Sequence, residues 1–446
     1  MHYCGTVFRL ARVQPIIHKQ KDFVGHRNTQ RQLPQVTLNR YKSSVFDVVK
    51  PGPPIEVFAL NKAFAEDKDP NKANLGVGAY RTNEGKPWVL PVVRATEKKI
   101  ASDEKINHEY LSVLGNEMFR KAATALLLGD NSKAVQEKRV FGVQTLSGTG
   151  ALRLGADFLT KIMGRTDFYC SDPTWENHSK VFLDAGFKNA HEYRYWDYKK
   201  RIIDIDGLLE DLCQAPEGAV IILHACAHNP TGMDPSQEQW KQIADVIEGK
   251  NLFPFFDSAY QGFASGDPDN DAWAVRYFVD RGFELVCSQS FAKNFGLYCE
   301  RIGNLTVVQQ SPKTTAAVQS QFTLVVRGAY SNPPAFGSRI VGTVLSDPKL
   351  KGEWMESIAT MSCRIRQMRE ALVENLKALN TPGNWDHIVK QIGMFSYTGL
   401  NEQQVGTLIK DFHVYLLKTG RVNMCGVNDK NVKHIAKAIN AAVSKK

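Results

Sequence analysis

AVIILHACAHNPTGMDPSQEQWKQIADVIEGKNLFPFFD, residues 219–257, contains a complete strand–helix–strand unit. Six of its first seven residues are apolar and three of these are β-branched, which predicts a buried strand. After a polar loop, Ser236 and Gln239 have the spacing of a helix capping box, and the apolar residues that follow repeat with a helical period. The run at 252–257 predicts the next strand. The unit as a whole is typical of an α/β protein.

The same alternation extends from about residue 88 to 345, where short β-branched or aromatic runs alternate with longer helical patterns. Repeated βαβ units of this kind predict a mostly parallel sheet. Ligands bind beyond the carboxyl ends of the strands in such sheets. Asn229 and Asp257 follow two successive predicted strands, so we expect both side chains to face one crevice.

The last hundred residues have a different pattern, with long amphipathic helices and a small β element. Apolar residues at steps of three and four predict one buried helix face, formed by Met361, Ile365, Met368, Leu372, Leu376 and Leu379. The TPG motif that follows should end this helix. We therefore predict a basic leader at 1–44, an arm with part of a small domain at 45–87, a large domain at 88–345, and the small domain proper at 346–446.

Composition and charge exclude several classes of protein. Of the 446 residues, 43% are hydrophobic and 23% are charged, which excludes disordered, collagen-like and coiled-coil chains. The net charge of +10 arises mainly from residues 1–42, which hold eight Lys or Arg and one acidic residue. The nearly balanced remainder argues against nucleic-acid binding, which requires a clustered basic face.

The length of the longest apolar run and the spacing of the cysteines exclude further classes of protein. The longest apolar run, residues 218–227, has half of the ~20 residues that a membrane-spanning helix needs. The eight cysteines are scattered and form no C-x-x-C pair. This distribution favours reduced thiols over a disulfide framework or a zinc site.

The motif TLSGTGA at 145–151 is a candidate phosphate-binding turn. It follows a strand-like run at 140–145 and precedes a helical one, so its backbone N–H groups can approach an anion at the start of a helix. A tight structural turn uses the same residue types. Arg153 replaces the third glycine of the dinucleotide-binding fingerprint, which this motif therefore does not match.

Two further segments contain reactive residue types. SQSFAKNFG at 288–296 places Lys293 in an apolar, aromatic setting that would lower the pKa of its amine and make it nucleophilic, although a lone lysine is more often a solvated surface charge. Asp257 lies among aromatic residues and requires a cationic partner, either a protonated pyridine nitrogen or an arginine. Arg301 is close enough in sequence to Ser290 to share a phosphate with it.

With these residues the chain resembles the class I pyridoxal-phosphate aminotransferases, and among them the enzymes that act on aspartate. The resemblance extends from about residue 45 to the C-terminus. Its motifs are NLGVGAYR (74–81), NHEY (107–110), TLSGTGAL (145–152), AHNPTG (227–232), FDSAYQGFA (256–264), SFAKNFG (290–296), ERIG (300–303), YSNPP (330–334), GMFSYTGL (393–400) and GRVNMCG (420–426).

The resemblance implies fold type I of the pyridoxal-phosphate-dependent transferases, in which a large domain with a mostly parallel seven-stranded sheet flanked by helices is joined to a smaller α+β domain. It also implies pyridoxal 5'-phosphate as cofactor, held on Lys293 as a Schiff base. Asp257 would pair with the pyridine nitrogen, and Tyr260 and Asn229 would bond to the phenolate oxygen. Trp175 would stack on the ring.

Further roles follow from the same resemblance. His178 would support Asp257 from behind. The phosphate would be held by Ser147, Gly148, Thr149, Ser290 and Arg301, joined by Tyr110 from the neighbouring subunit of a homodimer.

The implied substrates are dicarboxylic amino and keto acids. Arg421 would bind the α-carboxylate through two parallel hydrogen bonds, and Arg327 from the neighbouring subunit would bind the distal carboxylate. Gly78, with Trp175 and Asn229, would complete the pocket. The implied reaction is the reversible transfer of an amino group from L-aspartate to 2-oxoglutarate, which gives oxaloacetate and L-glutamate with ping-pong kinetics.

Three alternatives stay open at this point. A related transaminase with aromatic or kynurenine preference is disfavoured by Arg327 in its VRGAYSNPP context. A nicotinamide-dependent oxidoreductase is disfavoured by the missing third glycine. A non-catalytic binding protein would have no need for Lys293, Asp257 and Tyr260 together.

The leader and the body give different indications of location. Residues 1–44 are basic and poor in acids, like a mitochondrial presequence, but Pro15 interrupts the only amphipathic stretch, and a leader without targeting value fits equally well. The body resembles the cytosolic enzymes more than the mitochondrial ones. We therefore expect the protein in the cytoplasm, with the mitochondrial matrix as the alternative.

Overall fold

The computed structural model describes residues 44–445, and most of the predicted leader lies outside this range. The strands in the described range are β1 (Ala73–Asn74), β2 (Val140–Leu146), β3 (Asp167–Asp172), β4 (Asn189–Arg194), β5 (Trp196–Asp197), β6 (Ile202–Ile203), β7 (Val220–His224), β8 (Phe253–Ser258), β9 (Leu285–Ser290), β10 (Ile302–Val308), β11 (Phe395–Tyr397), β12 (Val414–Tyr415) and β13 (Arg421–Asn423).

The α-helices in the same range are α1 (Glu56–Glu66), α2 (Pro91–Ala101), α3 (Glu117–Leu128), α4 (Lys133–Gln136), α5 (Ser147–Lys161), α6 (Asn177–Ala185), α7 (Ile205–Gln214), α8 (Gln237–Gly249), α9 (Pro268–Asp271), α10 (Trp273–Asp280), α11 (Thr315–Ala329), α12 (Phe336–Ser346), α13 (Pro348–Ala378), α14 (His387–Lys390), α15 (Glu402–Phe412) and α16 (Val432–Ser444).

Seven strands form the main sheet, in the order β2-β10-β9-β8-β7-β3-β4. Strand β10 runs antiparallel to both of its neighbours, β2 and β9, and the other pairs are parallel. The predicted α/β class and the mostly parallel seven-stranded sheet are therefore confirmed. The capping box that opens α8 is also present, because Ser236 accepts a hydrogen bond from the backbone of Gln239 and Gln239 bonds back to Ser236.

Helices cover both faces of this sheet because successive side chains of a strand point to opposite sides. On one face, Ile221, Leu223 and Phe256 pack against apolar residues of α7, α8 and α10. On the other face, Ile222 and Phe255 pack against α5, α6 and α11. With both faces buried, the central strands read as continuous apolar runs. The sheet is thus a rigid support for residues at its edges.

A third apolar cluster centres on the 31-residue helix α13. Five of the six residues predicted for its buried face are buried, namely Met361, Ile365, Met368, Leu372 and Leu376. The prediction was wrong for Leu379, which follows the last helical residue and is 36% exposed. The helix ends there because the chain turns at Asn380, whose φ is positive.

No helix among residues 44–445 is long and apolar enough to cross a membrane. The compact unit that contains every element named above begins at Pro54. The boundaries expected at residues 87/88 and 345/346 stay predictions.

Candidate active site

A cavity of ≈ 290 Å³ lies at the carboxyl edge of the main sheet. It is lined by every site residue predicted from the sequence except Tyr110, His178 and Arg327: these are Gly78, Ser147, Gly148, Thr149, Trp175, Asn229, Asp257, Tyr260, Ser290, Lys293, Arg301 and Arg421. The cavity lies where α/β sheets generally bind ligands.

One end of the cavity has the features of an anion site. Helix α5 begins at Ser147, and its first N–H groups and the positive end of its dipole favour a negative charge there. The Ser147 hydroxyl lies 3.1 Å from that of Ser290. A side chain at Gly148 would place its Cβ only 3.1 Å from the Cβ of Ser290, so glycine keeps the space at this turn open.

Arg301 reaches this end because β10 is antiparallel. The register pairs Ile302 with Leu146 and Gly303 with Ser290, which places the start of β10 beside the ends of β2 and β9. The Ser147 N–H donates to the Arg301 carbonyl over 3.1 Å. Both residues have positive φ, 62° and 54°, a strained conformation for residues other than glycine that is concentrated at functional sites.

Lys293 follows β9 and keeps part of its surface open to the cavity. Burial, helped by the nearby guanidinium groups of Arg301 and Arg421 and opposed by the charge of Asp257, lowers the pKa of its amine to about 8. The Nζ atom lies 4.8 Å from the centre of the Tyr260 ring. A larger fraction of this amine is therefore neutral and nucleophilic at physiological pH than of an exposed lysine.

Asp257 is 7% exposed and lies near the end of β8. One oxygen, Oδ2, is 3.0 Å from His178 Nε2, while Oδ1 is buried without a hydrogen-bond partner among the described residues. Burial alone would raise the pKa of this carboxyl, but the hydrogen bond from His178 and the charges of His178, His224 and Lys293 together outweigh it, so the pKa of Asp257 lies below its usual value. The ionised Oδ1 is thus available to a cationic N–H group.

Arg421, the first residue of β13, also lines the cavity. Its Nη1 donates to Asn229 Oδ1 over 3.2 Å and its Nη2 to the Gly76 carbonyl over 3.0 Å. Its guanidinium carbon is 4.1 Å from the centre of the Phe395 ring, a cation–π distance. The Nε atom is buried without a partner among the described residues, so the group retains free donors for an anion.

Three predicted residues lie outside the cavity lining. His178 contacts Asp257 from behind, as expected for a supporting residue, and its Nδ1 lies 2.8 Å from the Thr174 hydroxyl. Tyr110 is 84% exposed. Arg327 is exposed on α11 and donates to Ser331. The last two were expected to serve a neighbouring subunit, and their exposure leaves them accessible to one.

Sequence reasoning missed several lining residues, including His224, Glu176, Tyr298 and Phe395. His224 is the last residue of β7, directly before the loop with Asn229, so its place at a strand end was an available signal. Tyr298 lies between Lys293 and Arg301 and could have been found from that spacing. Phe395 lies in the motif GMFSYTGL, which the resemblance had already marked, but it reaches the cavity through tertiary packing that the motif alone does not reveal.

The residues of the cavity fit pyridoxal phosphate. The unpartnered Asp257 Oδ1 suits a protonated pyridine nitrogen, since a buried carboxylate oxygen otherwise loses its hydrogen bond to water. The cradle at Ser147 and Ser290 suits a phosphate, and the amine of Lys293 suits an aldehyde. The residues that provide these three features all line the same cavity.

Comparison with known proteins agrees with this fit. Residues 70–439 match the family model described as aminotransferase class I and II. A cytoplasmic aspartate aminotransferase of Caenorhabditis elegans is 60% identical over 400 residues, which cover 90% of this chain and 98% of that protein. The cytoplasmic aspartate aminotransferase of Gallus gallus is 56% identical over 408 residues, which cover 90% and 99%.

Among solved structures, the aromatic-amino-acid aminotransferase of Burkholderia pseudomallei, covalently bound to pyridoxal phosphate, matches with a TM-score of 0.88 and 40% identity. The match covers 90% of this chain and 100% of that one. Fold and cavity together therefore define a pyridoxal-phosphate-dependent transferase. The chain belongs to the family of class I and II aminotransferases, which confirms the resemblance seen in the sequence and the expected cofactor.

Proposed function

We propose that this protein is an aspartate aminotransferase, which transfers the amino group of L-aspartate reversibly to 2-oxoglutarate and forms oxaloacetate and L-glutamate. The observation that carries this proposal is one cavity that joins an activated amine at Lys293 to an arginine with free donors at Arg421. The two relatives reported above, both named for this activity, support the choice of aspartate.

Most of the residues that line the cavity would hold the cofactor. Lys293 would bind its aldehyde covalently, and Asp257 would bind and keep protonated its pyridine nitrogen. Tyr260 and Asn229 would contact the phenolate oxygen, and Trp175 would stack on the ring. Ser147, Gly148, Thr149, Ser290 and Arg301 would hold the phosphate.

When bound, pyridoxal phosphate supplies an electron-accepting ring that stabilises negative charge at the α carbon of the amino acid. Residues of the chain itself would orient the substrate and transfer its proton. Arg421 would orient the α-carboxylate. Once the amino group of the substrate has replaced it on the cofactor, the neutral amine of Lys293 would accept the proton from the α carbon and later return one. Acid–base catalysis by a positioned group contributes roughly 10²–10⁴-fold.

The distal carboxylate of the substrate requires a further cation. Within the described residues, the cations that line the cavity are Lys293, Arg301 and Arg421, and each has a role above. We infer that the protein is a homodimer in which Arg327 of one subunit binds the distal carboxylate in the other, with Tyr110 reaching the phosphate in the same way. Both side chains are exposed in the single chain.

Preference for aromatic substrates is the second candidate, because the Burkholderia pseudomallei structure is named for aromatic amino acids. Turnover of aspartate and phenylalanine with 2-oxoglutarate, followed by oxaloacetate or phenylpyruvate formation, distinguishes the two. We expect a much higher kcat/KM for aspartate. The Arg327→Asp variant should lose dicarboxylates and gain weak activity on cationic amino acids, and unchanged aspartate turnover in this variant would contradict the role of Arg327.

Both relatives are named as cytoplasmic enzymes, and we propose the same location for this protein. A fluorescent reporter fused to residues 1–50 should stay in the cytosol, and import into mitochondria would support the alternative. Within the folded chain, we propose an N-terminal arm with part of a small domain at 45–87, a large domain at 88–345 and the small domain proper at 346–446, because β1 of the first segment pairs with β12 of the last.

A further inference from the structure

Arg369 is a buried cation outside the cavity. It lies on α13 and is 1% exposed, and none of the ion pairs within residues 44–445 includes it. Burial lowers the pKa of its guanidinium to about 9, so the group still carries its charge at neutral pH. A buried charge without a counter-ion is costly unless hydrogen bonds compensate for it, so the burial of Arg369 depends on the groups that accept hydrogen bonds from it.

The acceptors of Arg369 are all backbone carbonyls of one short segment, residues 388–395. Nη1 donates to the Ile388 carbonyl over 2.9 Å, and Nη2 donates to the carbonyls of Gly393, over 2.9 Å, and of Phe395. A guanidinium has a planar fork of donors that matches several fixed acceptors at once. The guanidinium of Arg369 therefore holds the backbone of residues 388–395 in place.

This segment is in turn packed tightly against the loop that contains Asn229. The Ile392 N–H donates to the Gly232 carbonyl over 2.6 Å. A side chain at Gly232 would place its Cβ 2.6 Å from the Phe395 carbonyl oxygen, and one at Gly393 would collide with Ala227. Both glycines have positive φ. The backbones approach so closely that a displacement of one displaces the other.

The two segments meet at Arg421. The Phe395 ring lies against its guanidinium at 4.1 Å, and Asn229 accepts a hydrogen bond from it at 3.2 Å. The same ring makes an edge-to-face contact with Tyr260, with ring centres 5.9 Å apart. Phe395 is therefore the link between the helix α13 and the arginine that faces the substrate.

We propose that Arg369 is a positioning residue for substrate binding, which acts through Phe395 to set the position of the Arg421 guanidinium. This inference rests on the proposed role of Arg421 in binding the substrate carboxylate. Arg369 itself touches neither cofactor nor substrate. Its substitution should weaken carboxylate binding while cofactor binding, which would depend mainly on Lys293, Asp257 and the phosphate cradle, is retained.

The test uses the holoenzyme with Arg369→Lys, which keeps the charge but not the fork of donors. We expect the KM for aspartate and the dissociation constant of succinate, a dicarboxylate that cannot react, to rise about tenfold, equivalent to ~1.4 kcal/mol. The kcat and the absorbance of the bound cofactor should stay at wild-type values. A purely structural role would lower kcat through loss of folded enzyme and leave KM unchanged, which would overturn the proposal.

Two further variants make the result specific. Arg366→Lys is the matched control, because Arg366 is an exposed arginine on the same helix that donates to the Ser265 carbonyl instead of the 388–395 segment, and its KM should equal that of wild type. Phe395→Leu removes the ring that links Arg369 to Arg421. It should raise KM by a similar factor, and adding Arg369→Lys to it should have little further effect.

Phe395→Leu also keeps the proposal testable if Arg369→Lys does not fold, since an unchanged KM in Phe395→Leu overturns it. Full additivity of the two substitutions would overturn it as well. Failure of the proposed function is distinguishable from these outcomes, because the wild-type enzyme would then not turn over aspartate.

Discussion

Replacing Arg421 by lysine removes a fork of donors from the cavity while keeping the positive charge. Arginine has five N–H groups. Two of those on Arg421 are engaged, by Asn229 and by the Gly76 carbonyl, and Nε has no partner among the described residues. The remaining donors can make two parallel hydrogen bonds to a carboxylate, which an ammonium group cannot do with the same geometry.

The magnitude follows from the loss of one of these two bonds. A hydrogen bond to a charged group contributes about 1.5–3 kcal/mol. At 1.4 kcal/mol for each factor of ten, kcat/KM should fall roughly 10- to 150-fold. Because the α-carboxylate is common to all amino acids, the decrease should be similar for aspartate and for phenylalanine as donor.

The assay measures kcat/KM for both donors with saturating 2-oxoglutarate, together with the absorbance of the bound cofactor. Arg327→Leu serves as the contrast, since it should lower kcat/KM for aspartate alone. If Arg421→Lys left the kcat/KM for aspartate unchanged, or affected aspartate but not phenylalanine, Arg421 would not be the group that binds the α-carboxylate.

Three other predictions concern the amine, its titration and the core. Lys293→Ala should bind the cofactor without a covalent bond and have almost no turnover; borohydride treatment followed by peptide mass mapping should label Lys293 in the wild type only. In the apoenzyme the folded state has the lowered pKa of about 8 at Lys293, so the unfolded state binds more protons from about pH 8 up to the unperturbed lysine pKa of ~10.4, and stability should rise with pH across that window. Lys293→Met should flatten this rise in urea denaturation, and an unchanged slope would exclude Lys293 as its source. Phe255→Ala, at a site with 0% exposure in the middle of the sheet, should lower the free energy of unfolding by about 3–5 kcal/mol, and a loss below about 1 kcal/mol would show that the surrounding core collapses into the space.

Local sequence patterns predicted the strands and helices well where the buried residues follow one another in a regular pattern. The expected strand at 219–225 is β7, at Val220–His224, and the expected strand at 252–257 is β8, at Phe253–Ser258. Both are central strands with helices on either face, so their apolar runs are continuous. The capping box of α8 was readable because capping depends on residues only three positions apart.

Features that depend on distant contacts were not predictable in this way. The antiparallel direction of β10 depends on its pairing with β2, more than 150 positions earlier in the chain, and nothing within β10 specifies its direction. Phe395 lines the cavity because Arg369 and the glycines at 232 and 393 hold its segment in place. Local patterns singled out Asn229, Asp257 and Lys293, and the resemblance added most of the other candidate site residues and their roles. Their physical setting, such as the unpartnered oxygen of Asp257, required the structure.

The insertion of β10 between β2 and β9 also determines when the phosphate cradle can exist during synthesis. Until residues 302–308 leave the ribosome, β2 lacks the neighbour that joins it to the rest of the sheet, and Ser147 lacks the carbonyl of Arg301 that receives its N–H. A nascent chain that ends before β10 would therefore have no complete pocket for vitamin B6 phosphate. Uptake of this vitamin by a growing or refolding chain would report that β10 has taken its place between β2 and β9.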